Sequence, residues 1–127
     1  MSRTILVVDD DAEIRELARV ILSAGGYVVR TAGSGRDGFE QAASSLPDLI
    51  LLDVNMPDMD GWEVLRLLKA DENLSDLPVV MFTVKSELRD KVHALQDGAH
   101  AYVTKPFGAE ELLHRVGCVL QSREAHR

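Results

Sequence analysis

The chain has 127 residues, 46% hydrophobic and 28% charged, a size and balance that suit one soluble globular domain and leave no room for two. Fourteen Lys and Arg against 21 Asp and Glu give a net charge of −7, which argues against this chain itself gripping nucleic acid. No apolar run approaches the ~20 residues that span a bilayer, and the single cysteine, Cys118, excludes an internal disulfide.

Met1-Ser2-Arg3-Thr4 lacks a signal-peptide layout and leads straight into a β-like run, residues 5–8. Further strand-like runs lie at residues 27–32, 49–52, 79–82 and 101–103. Most lack polar alternation, as parallel strands covered on both faces do. Helical periodicity fills the gaps. Ile14, Leu17, Ala18, Ile21 and Leu22 mark a first helix that stops at Gly25-Gly26. Phe39, Ala42, Ala43 and Leu46 mark a second, with Ser34 as N-cap. Asp60-Gly61-Trp62-Glu63 opens a third, close to a capping box, carrying Leu65 and Leu68. Leu88, Val92 and Leu95 mark a fourth, ending near Gly98. Leu112, Leu113, Val116 and Leu120 mark a fifth, entered through Pro106-Phe107-Gly108. Five strand-then-helix repeats joined by right-handed crossovers predict an α/β fold: a doubly wound, five-stranded parallel sheet of order 2-1-3-4-5, flavodoxin-like, with five helices on both faces.

In such sheets ligands bind beyond the carboxyl ends of the strands. The first strand ends in Asp9-Asp10-Asp11, the third in Asp53, the fourth in Thr83, and Lys105 follows the fifth. Neighbouring strands lie ~5 Å apart, so Asp9, Asp10 and Asp53 should converge. Carboxylates that close repel unless a cation joins them. Mg²⁺, a hard ion that prefers oxygen ligands and bridges to phosphate, suits the set. A carboxylate nucleophile, a divalent ion, a hydroxyl and an ammonium are the parts of a site that forms an aspartyl phosphate. Taken singly these residues have plainer readings: Asp11 as a helix cap or spacer, Asp53 as a turn residue, Thr83 as a cap or strand residue, Lys105 as a surface lysine, Tyr102 as edge packing, and Asp58, Asp60 and Gly61 as turn chemistry. His93, His100, His114 and His126 share neither an edge nor a ligand spacing and read as structural or surface residues. Cys118, in an apolar helical stretch, is expected to be a buried structural thiol, and nothing points to an oxidising compartment, so a cytoplasmic location is expected.

Ile5-Leu6-Val7-Val8-Asp9-Asp10-Asp11, Asp53-Val54-Asn55-Met56-Pro57-Asp58-Met59-Asp60-Gly61, Phe82-Thr83 and Lys105-Pro106-Phe107 resemble the response-regulator receiver domains of bacterial two-component systems, chemotaxis regulators among them. The resemblance implies a receiver domain over residues 3–121, with 122–127 a C-terminal tail or the start of a linker. It implies that Asp53 accepts the phosphoryl group, and that Asp10, Asp53 and the backbone carbonyl of Asn55 ligate Mg²⁺ (Mn²⁺ as a substitute), Asp9 acting largely through water. It gives Thr83 and Lys105 the phosphoryl oxygens, Tyr102 the role of switch aromatic, and Lys105-Pro106 a cis bond. The implied function is a phosphorelay switch rather than an enzyme. A histidine kinase or phosphotransfer protein supplies the group. The face of the fourth helix, fifth strand and fifth helix then meets a downstream effector or forms a homodimer, with no direct binding of nucleic acid or membrane.

Two departures stand out. Val84 is bulkier than the family's usual residue and, with Lys85 and Asn55 at positions that tune phosphoryl lifetime, predicts slow self-hydrolysis. His100-Ala101 replaces acidic residues usual in receivers of winged-helix transcription factors. The alternative function is a Mg²⁺-dependent phosphohydrolase with an aspartyl-phosphate intermediate, but Asn55 stands where such enzymes need a second acid. A flavin-binding module would need a Gly/Ser/Thr-rich first turn, and a receiver that only binds partners would not need the full acid, hydroxyl and ammonium set.

Overall fold

The computed structural model describes residues 2–83 and 98–125, with the side chains of Thr83 and residues 123–125 outside that description. Five strands, β1 (Thr4–Val8), β2 (Val28–Ala32), β3 (Leu49–Asp53), β4 (Val79–Thr83) and β5 (Ala101–Thr104), form one sheet. All pairings are parallel, in the order β2-β1-β3-β4-β5. The predicted sheet is the observed one. Three helices, α1 (Ala12–Ala24), α2 (Gly35–Ser44) and α3 (Gly61–Ala70), and a C-terminal helix (Ala109–Ala125) complete the described elements. The fourth helix predicted from Leu88, Val92 and Leu95 lies outside the described residues, as do Val84, Lys85, His93 and His126.

Alternation along each strand divides the core in two. Ile5, Val7, Leu49, Leu51, Val80 and Phe82 point to the face covered by Ala18 and Leu22 of α1 and Leu112 and Val116 of the C-terminal helix. Leu6, Val8, Ile50, Leu52, Val79 and Met81 point to the face covered by Ala42 of α2 and Val64, Leu65 and Leu68 of α3. Both faces of the central strands are dry, which is why their sequences run apolar without a polar beat.

Local chemistry sets the helix ends. Asp11 caps α1, its carboxylate accepting from the N–H groups of Glu13 and Ile14. Gly26, at φ +94, follows α1 in the left-handed conformation that glycine adopts freely. The Tyr27 and Gly26 N–H groups then reach back to the Leu22 and Ser23 carbonyls, a paired C-terminal closure. Ser34 and Asp60 cap α2 and α3 as predicted, accepting from the Asp37 and Glu63 N–H groups.

Ala43 lies exposed on the outer side of α2, and three larger side chains also depart from the expected core. Leu17 is 46% exposed, because Ile14, Ala18, Ile21 and Leu22 already fill the buried stripe of α1. Leu46 is 57% exposed, because α2 ends at Ser44, before the periodicity reaches it. Cys118 is exposed, because the C-terminal helix turns Leu112, Val116, Val119 and Leu120 inward and leaves Cys118 on the outer side, beside His114. No helix among the described residues is long and apolar enough to cross a membrane.

Candidate functional site

The strand order carries the acids together. Val8 pairs with Leu52, so Asp9, one residue past β1, stands beside Asp53, the last residue of β3. Carboxylate oxygens of Asp9, Asp10 and Asp53 all lie within 4.8 Å of one another. Asp9 is fully buried and Asp53 only 3% exposed, whereas Asp10 faces solvent. Buried carboxylates survive only when paired or hydrogen-bonded, and here Lys105 supplies the pairing. Its ammonium donates to Asp9 Oδ2 at 2.7 Å and to Asp53 Oδ1 at 3.1 Å.

Lys105 reaches this position from just beyond β5. The Lys105–Pro106 bond is cis, as the resemblance implied. Phe107 stacks on Phe82, ring centroids 5.1 Å apart, and the ammonium lies 5.7 Å from the Phe82 ring centre. A cation at that distance from a ring face gains further attraction. The aromatic pair was not singled out in the sequence, because its members lie 25 positions apart and meet only through β4–β5 pairing.

The two buried acids differ in what remains open. Asp9 Oδ1 accepts the Asp11 N–H at 2.9 Å and Oδ2 the lysine, so both of its oxygens have protein donors. Asp53 Oδ1 accepts from Lys105 and, at 3.4 Å, from the Asn55 N–H. No protein donor reaches Asp53 Oδ2 among the described residues. Burial raises the Asp53 pKa to about 6, with the charge of Asp9 adding to the rise. Lys105 and the Asn55 N–H oppose that rise without cancelling it. For Lys105, burial disfavours the charge, but the hydrogen bond to Asp9 and the two carboxylate charges outweigh it and raise its pKa.

The β3–α3 loop is pinned at both ends. Gly61 N–H donates to Val54 O at 2.9 Å, and a Cβ at Gly61 would stand 2.3 Å from Asp53 O. Its φ is not positive, so glycine is needed there for close approach rather than for a turn. Asp58 has a role that the turn reading did not contain: its carboxylate accepts the Gly35 and Arg36 N–H groups at 3.2 Å, closing the start of α2 from across the chain. Those four hydrogen-bond groups come from segments about 22 residues apart, and only the fold joins them. Burial works against the Asp58 charge, but N–H donation by Arg36, Gly35 and neighbouring residues lowers its pKa.

Thr83 ends β4 opposite Thr104, on the same carboxyl rim. Tyr102 is half-buried and packs against the α2–α3 side of the core. His100 is structural, its Nδ1 accepting the Val79 N–H at 3.3 Å. Asp9, Asp10, Asp53 and Lys105 thus form one cluster, with Asn55 at its edge. Three all-oxygen carboxylates at mutual ligand distance, two of them buried, fit a hard divalent cation.

Residues 5–117 match the family described as response regulator receiver domain. The chain belongs to that family. This receiver domain is 41% identical over 117 residues to the DNA-binding dual master transcriptional regulator RpaA of Synechocystis, covering 92% of this chain and 48% of that one. It is 41% identical over 121 residues to the phosphate regulon transcriptional regulatory protein PhoB of Pseudomonas aeruginosa, covering 95% and 53%. The domain thus spans about half the length of the curated relatives it matches. Among solved structures it is similar to the Vibrio cholerae chemotaxis response regulator CheY4, at a TM-score of 0.89, 32% identity and coverage of 94% and 99%. It is also similar to a CheY-like receiver domain protein from Methanospirillum hungatei, at a TM-score of 0.91, 31% identity and full coverage of both chains. As a receiver domain it is a phosphoacceptor switch of two-component signalling.

Proposed function

We propose that Asp53 is the phosphoacceptor and that transfer to it requires Mg²⁺ held at the acid cluster. The carrying observation is the Lys105 ammonium shared between buried Asp9 and Asp53 beside solvent-facing Asp10. Asp10, Asp53 and the Asn55 carbonyl would ligate the ion, with Mn²⁺ as a substitute. Asp9, whose oxygens already have protein donors, would act through water. The ion's chemistry is neutralisation of the phosphoryl oxygens.

The chain's own residues do the rest. An oxygen of the Asp53 carboxylate attacks the phosphorus of a phosphohistidine on a kinase or phosphotransfer protein. The P–N bond breaks, the imidazole nitrogen keeps the electron pair and takes a proton, and an acyl phosphate forms. Oδ2, the oxygen without a protein donor among the described residues, is the natural nucleophile. Lys105 and the Thr83 hydroxyl are assigned to the phosphoryl oxygens. Tyr102 is assigned the switch: new charge at Asp53 favours one of two arrangements of Thr83, Tyr102 and the face around β5 and the C-terminal helix.

We assign residues 3–121 to the receiver unit and 122–127 to a tail or linker. The name of one relative, a DNA-binding regulator, supports a DNA-binding effector as output, and the net charge of −7 argues against DNA contact by this domain itself. Incubation with acetyl phosphate and Mg²⁺, followed by intact mass, should give one phosphoryl adduct on the wild type and none on Asp53→Ala. Adduct on both proteins would sink the assignment. Catalytic turnover of small phosphate esters would instead favour the phosphohydrolase.

A further inference from the structure

Asp9 carries both a buried carboxylate and the peptide leading to exposed Asp10. Whatever fixes that peptide therefore fixes where Asp10 stands. The β1–β2 ladder advances by twos, from Val28 N–H on Arg3 O at 2.9 Å. At its far end the Asp9 N–H donates to Ala32 O at 3.1 Å. One more step would bring the Ser34 N–H to the Asp9 carbonyl, but Ser34 has left the strand to cap α2. Arg15, in the first turns of α1, supplies the missing donor: its Nη1 reaches Asp9 O at 2.8 Å. The guanidinium lies against Gly33, where a Cβ would stand 3.2 Å from Nη1 and 3.6 Å from Cζ. Arg15 is half-buried and makes no other side-chain hydrogen bond or ion pair among the described residues.

We infer that Arg15 is a positioning residue for the acid cluster: its bond to the Asp9 carbonyl holds the Asp9–Asp10 peptide so that the Asp10 carboxylate stays with those of Asp9 and Asp53. The inference rests on reading those three acids as the ion-holding set. Its sign separates it from simple charge. A guanidinium near a cation site repels the cation, so if Arg15 acted only through its charge, deleting it would tighten Mg²⁺ binding. If it positions a ligand, deleting it weakens binding, as losing an outer partner of a metal site does by about 10-fold or more. Positioning and charge thus predict opposite outcomes.

Titration calorimetry of Mg²⁺ on the full chain, in chelator-stripped buffer, decides between them. Arg15→Ala is expected to weaken Mg²⁺ binding by roughly 10-fold, and Arg15→Lys, which keeps the charge and one donor, to recover part of that loss. Arg19→Ala removes the same charge from the outer side of α1, where Arg19 pairs with Glu16, and is expected to leave binding unchanged or slightly tighter. Gly33→Ala keeps the arginine but intrudes on its seat, and is expected to weaken binding in the same direction by less. It carries the test if Arg15→Ala does not fold. Equal or tighter binding by Arg15→Ala, or by a folded Gly33→Ala where it stands in, overturns the role of Arg15 alone. A wild type that takes up neither Mg²⁺ nor phosphoryl groups overturns the ion-holding reading and the role of Arg15 with it.

Discussion

Without a divalent ion, the site should work against the fold, and Asp53→Asn tests this directly. Burial and the Asp9 charge raise the Asp53 pKa from 3.8 to about 6, so the folded protein holds that proton more tightly than the unfolded chain does. The stability it contributes is fully present below pH ~4 and is lost as pH rises through about 6. Each tenfold change in proton affinity is worth about 1.4 kcal/mol, so ionised Asp53 destabilises the fold by at most about 3 kcal/mol. Solvent at the mouth of the site lowers that to about 1–2 kcal/mol. Asparagine keeps the shape and removes the charge, while Lys105 retains its 2.7 Å pair with Asp9. In EDTA at pH 8, Asp53→Asn should therefore melt higher than wild type, by roughly 3–8 °C for a domain of this size. Differential scanning calorimetry across pH should show the gap falling to about half near pH 5 and closing near pH 4. Saturating Mg²⁺ should then raise the wild type far more than the variant. A variant less stable than wild type in EDTA at pH 8, or a gap that widens toward acid, would refute the electrostatic argument.

Lys105→Met leaves two buried carboxylates uncompensated and should destabilise the metal-free protein by on the order of 3 kcal/mol, read by urea denaturation in EDTA. The same variant should bind Mg²⁺ more tightly, because the competing ammonium is gone, yet acquire phosphoryl groups more slowly. Gly61→Ala drives a Cβ into Asp53 O and Val54 Cα, both backbone atoms, so a loss of about 3 kcal/mol is expected, or no folding. A neutral result would show that the start of α3 is free to retreat from β3. Asp58→Ala removes the distant cap on α2 and should lower stability by about 1 kcal/mol at neutral pH. Because the Asp58 pKa is lowered, that contribution is present above the ordinary carboxylate range and is lost as pH falls through Asp58's own pKa. Melts of the two proteins should accordingly converge in acid.

What could be read from the chain was whatever depends on short-range pattern plus strand order. The apolar runs gave five strands because both faces of the central strands are dry, and the acids at their ends gave the cluster because order 2-1-3 makes Asp9 and Asp53 neighbours. Ser34, Asp60 and Asp11 were legible as caps, since a cap bonds its own next turn. The unread features are those where one segment completes another. Arg15 reaches back past the helix start to the carbonyl of Asp9, just beyond β1, Asp58 closes a helix that begins 23 residues earlier, and Phe82 stacks on Phe107 only after β4 and β5 have paired. Cys118 and Leu17 face solvent for another reason: apolar surroundings in sequence do not fix rotation about the helix axis when better-placed neighbours fill the buried stripe.

The charge inventory explains why stability and function should oppose each other at this rim. Three carboxylates face one ammonium, leaving an excess of two negative charges in a mostly buried cluster. One divalent cation matches that excess, whereas a monovalent ion would leave the repulsion half relieved. On the proposed role of Asp53, its conversion to an acyl phosphate would replace one negative charge by about two, and Lys105, already paired with the cluster, is the side chain placed to answer the added charge beside the ion. The fold cannot ease the strain by parting its two buried acids. Asp9 is held by Ala32, Arg15 and Lys105, and the loop after Asp53 is held by Gly61 and Asp58. A rim that cannot part its buried acids favours uptake of an ion or a proton, and the elevated pKa of Asp53 is that same demand expressed in protons.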